Sequence, residues 1–229
     1  VGFYACAATI TAMLIIIPRV ITIISEPRVS KLFDEDNLDI VSDELSKTSI
    51  YWLAIIIPAV FGAYLLGESF VSLYISPSMG ENAGPIIWIL MIGACFFGLF
   101  ITHSVALFAA TRTELLFKIS LVSALFNLTL NLILVYFFKN IAMAAIATSL
   151  SYLLMFAMIY FHCKKIVRLE FDLEEIAKII GSAIIGGLST WFAMLNISSD
   201  IRFSTLFYLI ILYLISYTIA LIFFNSKLI

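Results

Sequence analysis

Seven stretches of this chain are each long and apolar enough to cross a lipid bilayer, and that restricts the fold more than any other feature. They lie near residues 3–24, 48–67, 85–109, 115–138, 141–162, 174–195 and 203–224. A hydrocarbon core of about 30 Å takes about 20 residues of helix, and lipid offers no hydrogen-bond partner to open backbone. The expected fold is therefore all-α, a polytopic membrane bundle of about seven transmembrane helices. Composition agrees, because 63% of the residues are hydrophobic and only 12% charged, about half the charge of a soluble domain. A net charge of −2 points to no nucleic-acid partner.

The polar connections order these spans. Ten basic residues fall on one side (Arg28, Lys31, Lys47, Arg112, Lys118, Lys164, Lys165, Arg168, Lys178 and Lys227), and two, Lys139 and Arg202, on the other. Basic loops favour the cytoplasm, so the chain is expected to start outside and end inside. The first residues already lie within an apolar pattern, with no basic leader or cleavage site, so the sequence reads as part of a longer chain. Between the first two spans, "KLFDEDNLDIVSDELSK" sets Leu38, Val41 and Leu45 at helical spacing among six acids. That predicts a short amphipathic helix on the membrane surface. Asp172, with Glu175 three residues on, predicts a helix cap.

Helices in lipid associate through small and polar residues. Ser120, Ser123, Asn127 and Asn131 share one face of the fourth span; they either bond neighbouring helices or line a hydrophilic cavity. Ser182, Gly186 and Thr190 form a small-residue ladder suited to packing, and Gly93 and Gly98 allow close contact in the third span. His103, between Thr102 and Ser104, is either a hydrogen-bonded interior group or a proton carrier. Cys6, Cys95 and Cys163 are scattered as packing residues. No Asp or Glu stands in the middle of a span. No carboxylate pair, zinc spacing, nucleotide-binding loop or Ser-His-Asp set is present. An enzyme is not expected, nor is a cofactor or a metal.

The first span has one polar side, carrying Tyr4, Thr11, Arg19, Thr22 and Glu26. Pro18 removes a helical hydrogen bond and predicts a kink beside Arg19, and Pro27 is expected to stop the span at its cytoplasmic edge. Arg19 either snorkels to the headgroups or faces a cavity and meets an anionic substrate.

"VGFYACAATITAMLIIIPRVITIISEPRVSKLF" resembles the V-G-x-Y helix and Pro-Arg-x-Ser boundary of bacterial polysaccharide and oligosaccharide-lipid flippases. "NLTLNLILVYF" and "AMAAIATSLSYLL" resemble later helices of that family, in order and at suitable intervals, over roughly residues 1–165. The resemblance implies residues 1–162 as a C-terminal transport lobe lacking its first helix, and 163–229 as an additional helix pair. A two-lobed alternating-access exporter of the bacterial inner membrane is then expected. It would move undecaprenyl-diphosphate-linked oligosaccharide repeat units for O-antigen or exopolysaccharide synthesis. Its partners would be the missing N-terminal lobe, membrane lipids, and polysaccharide polymerase and chain-length machinery. Arg19 would meet the diphosphate, and Ser123, Asn127, Asn131 and His103 would join it in binding substrate. The final helices, with Tyr208, Tyr213, Tyr217 and Phe223, would hold the polyprenyl tail. A lipid II flippase or multidrug/cation antiporter of the same superfamily stays open beside this, as do a polysaccharide polymerase or ligase and a scaffold subunit.

Overall fold

The computed structural model describes residues 2–169, 171–197 and 202–228. They form α1 (Gly2–Asp34), α2 (Leu38–Tyr74), α3 (Pro77–Ala109), α4 (Thr113–Phe138), α5 (Ala142–Cys163), α6 (Leu173–Leu195) and α7 (Phe203–Phe223). All seven are long and apolar enough to span a membrane, and no strand occurs among the described residues. Local chemistry explains the starts of two helices. Ser76 accepts from the Met79 N–H ahead of Pro77 at the first turn of α3, where a missing N–H costs nothing. Asp172 caps α6 by accepting from the Glu175 N–H at 3.1 Å.

α1 and α2 are longer than the sequence suggests. They run for 33 and 37 residues, about 50 and 55 Å at 1.5 Å per residue. Pro27 lies inside α1 and does not end it. Val29 beyond it is buried, with Leu32 and Phe33 packed on the same cluster, so burial holds the added turns. No separate surface helix follows. Leu38, Val41 and Leu45 belong to the first turns of α2, and their apolar stripe packs on protein beside Val29, Ile159 and Val167. Arg28 pairs with Glu44 at 2.8 Å across the two helices. The connection from α5 to α6 tucks in here too, with Val167 and Leu169 buried and the Ser42 hydroxyl donating to the Arg168 carbonyl.

α3 is the centre of the bundle, packed against α1, α2 and α5. Small residues allow this. The Trp52 ring of α2 lies where a Gly98 side chain would be, and its Nε1 donates to the Cys95 carbonyl at 2.9 Å. A Cβ at Gly84 would stand 2.7 Å from the Glu68 Cα, and one at Gly93 would stand 2.7 Å from the Ser149 hydroxyl. Ser149 in turn donates to the Ile89 carbonyl at 2.7 Å.

α6 and α7 pair with each other and lean on α2. Ser182, Gly186 and Thr190 are buried along their seam, and a Cβ at Gly186 would meet the Tyr213 carbonyl at 3.2 Å. The Tyr217 hydroxyl donates to the Ala54 carbonyl at 2.9 Å and ties α7 to α2.

Candidate functional site

A polar cleft of about 230 Å³ opens between α4 and α5. Ser120, Ser123 and Asn127 of α4 face Thr148, Ser151 and Tyr152 of α5 across it, and Phe97 of α3 forms part of the lining. The α4 side follows from the three- and four-residue steps that put its polar groups on one face. The α5 side uses the same spacing.

Hydrogen bonds join three helices at this place. The Tyr4 hydroxyl of α1 and the Thr148 hydroxyl of α5 lie 3.0 Å apart, and the Asn127 amide donates to Thr148 at 3.4 Å. Asn131 donates to the Asn127 side-chain oxygen at 3.1 Å and to its carbonyl at 3.0 Å. Asn127 therefore does both things open to it, bonding across to α5 and lining a cavity, while Asn131 bonds only to Asn127 within α4 among the described residues. Asn131 stands one turn beyond the lining. Ser123 is buried at the cleft with its hydroxyl oxygen unpaired, a costly arrangement unless something fills it.

Arg19 stands midway along α1 and is exposed. Nine residues separate it from Arg28, about 13 Å along the helix, so it lies well inside the basic end of the bundle. The helix continues through Pro18 as through Pro27. Arg19 has no carboxylate partner among the described residues. His103 is elsewhere. It is 1% exposed, its Nδ1 lies 2.8 Å from the Leu99 carbonyl, and its ring sits against Phe156 and Phe171. The structure groups Ser123, Asn127 and Asn131, leaves Arg19 exposed on α1 outside the lining of the cleft, and places His103 in a separate aromatic nest. Tyr4 was read from sequence only as part of the polar side of the first span, and Thr148 and Tyr152 were not singled out, although Thr148, Ser151 and Tyr152 share a helical face that could have marked them.

On another face of α1 an apolar groove of about 400 Å³ runs between α2 and α7, touching Ile10 of α1, Ile87 and Met91 of α3, and Tyr213 and Leu214 of α7. Of the four aromatic residues expected to form such a groove, Tyr213 alone lines it. Tyr217 is turned inward against Ala54, and Tyr208 and Phe223 are exposed on the outer surface.

Seven apolar helices, with a cleft carrying polar side chains between α4 and α5, define a multi-pass helical membrane bundle. The family model described as lipid II flippase MurJ matches residues 3–223, and the chain belongs to that family. A solved structure described as "Lipid II flippase MurJ, inward closed conformation" is similar at 18% identity and a TM-score of 0.76. The match covers 96% of this chain and 46% of that one, so the chain spans about half the length of that relative. At this identity the likeness is one of fold. No curated protein matches the sequence. The family is a transporter family of the inner membrane within the flippase superfamily expected from the sequence, and it is the lipid II alternative named there that the family model matches.

Proposed function

We propose that this chain is the C-terminal part of a flippase that turns a polyprenyl-diphosphate-linked saccharide, of the lipid II kind, between the leaflets of the inner membrane by alternating access. Residues 1–162 serve as a transport lobe completed by an N-terminal lobe, and 163–229 as an added helix pair. The orientation that agrees with the basic loops has the start of the chain outside and its end in the cytoplasm. A lipid II substrate is preferred to an O-antigen or exopolysaccharide unit because the matching family model is that of lipid II flippases. Nothing favours a polysaccharide polymerase or chain-length machinery as a partner.

The observation that carries this reading is the cleft between α4 and α5 with its polar side chains, together with Arg19, an exposed cation without a carboxylate partner among the described residues, on the helix whose Tyr4 reaches Thr148 at that cleft. A diphosphate needs such a donor fork. Ser123 and Asn127 suit sugar hydroxyls, with Asn131 holding Asn127 in place. The apolar groove suits a polyprenyl tail. His103 is the weakest member of the proposed set because it is packed away from the cleft. The full-length gene is expected to restore growth in cells depleted of their lipid II flippase. Arg19→Lys and Arg19→Ala are both expected to lower flipping at least about tenfold, the worth of a lost charged hydrogen bond. Normal rescue by both variants at normal expression rejects the role given to Arg19.

A further inference from the structure

Neither the cleft nor the groove uses Glu175, yet it is a carboxylate only 1% exposed at the start of α6. Burying a carboxylate is expensive unless its oxygens are satisfied. The segment after α7 supplies most of what it has. Asn225 takes a left-handed backbone, with φ of 51°, and turns the chain back. The Ser226 hydroxyl then donates to Glu175 Oε1, and the Lys227 N–H donates to the same oxygen at 3.0 Å. Among the described residues Oε2 has only the Lys178 ammonium, at 3.7 Å. An outer strap lies over this contact: Lys227 Nζ meets Asp172 Oδ2 at 2.6 Å while Asp172 caps the helix. That ammonium and the Glu175 N–H hold the Asp172 carboxyl below its ordinary range. Leu228 packs on the cluster of Ile179, Tyr217 and Leu221.

We propose that Glu175 and Ser226 form a latch that holds the 224–228 segment across the start of α6, so that α6 and α7 move as one rigid unit and do not splay at this end. Glu175 is a positioning residue for α7, whose Tyr213 and Leu214 line the apolar groove. The latch stands on its own geometry; only its bearing on transport rests on the flippase reading.

Hydrogen–deuterium exchange of the full-length protein in lipid nanodiscs tests it, read on peptides covering 222–228 and, as a control, the middle of α3. Glu175→Ala is expected to speed exchange in 222–228 about tenfold, as loss of a charged hydrogen bond does, with α3 unchanged. Glu175→Gln keeps most of the protection, since its amide oxygen still accepts. Ser226→Ala loosens the same peptide without touching the buried acid, and so decides the matter if Glu175→Ala fails to fold. Wild-type exchange of 222–228 in Ser226→Ala overturns the latch, and so does equal loosening of α3 in Glu175→Ala. A protein that does not flip lipid II but shows the expected exchange pattern rejects the function and keeps the latch.

Discussion

α3 and α4 are consecutive helices, both apolar enough to span the membrane, and the bundle treats them in opposite ways. Of the most apolar stretch of α3, 56% is buried inside the protein, against 6% for α4. α3 earns its central place through Gly84, Gly93 and Gly98, which let Glu68, Ser149 and Trp52 come close. α4 keeps one polar face on α5 and shows the rest of its surface outward. Apolar character thus decides that a segment enters the membrane, while small residues decide which segment becomes the framework. The polar face of α4 is left to do something other than hold the fold.

Substitutions can break or sharpen this contrast, and thermal unfolding of the purified protein in detergent is the common measurement. Trp52→Ala removes the ring wedged against Gly98 and should cost about 3–5 kcal/mol. Gly84→Ala drives a Cβ into the backbone at Glu68, which cannot swing away as a side chain can; about 1–3 kcal/mol is expected. In the cleft, Asn127→Ala cuts the bonds to Thr148 and Asn131 and should cost about 0.5–1.5 kcal/mol, while lowering flipping in the rescue assay more than either framework variant does at equal protein level. Should it unfold the protein as readily as Gly84→Ala, the cleft belongs to the framework and the contrast fails. Ser123→Ala deletes a buried hydroxyl that has no partner, so stability should stay within about 0.5 kcal/mol or rise slightly. Reduced flipping in that variant would sharpen the assignment of the cleft to substrate.

The sequence revealed the parts of the fold that depend on local pattern. The number and order of the spans and the Asp172 cap were legible because lipid and an open helix end impose simple rules, whereas the lengths of α1, α2 and α3 were read too short. The shared face of Ser120, Ser123, Asn127 and Asn131 was legible because helical spacing fixes direction. What covers a face was not. Leu38, Val41 and Leu45 read equally well as lying on lipid or on protein, and only the buried neighbours Val29 and Val167 separate the two. Pro27 was read as a stop because its own backbone argues for one, yet contacts made by Val29 and Phe33 outweigh it. The α5 half of the cleft was hidden for a related reason: Thr148 becomes informative only when Asn127 and Tyr4 are seen to converge on it.

The length of α1 has one more consequence. Arg19 sits halfway along an unbroken rod that runs on to Asp34, and the Arg28–Glu44 pair braces that rod to α2 near its far end. With about 30 Å of hydrocarbon to cross, rods this long extend beyond the core, and the last turns of α1 meet the first turns of α2 at the acidic connection around Asp36. The acidic tip around Asp36 is thus clamped rather than free, because Val29, Leu32 and Phe33 of α1 and Val41 and Leu45 of α2 share one buried cluster with α3 and α5.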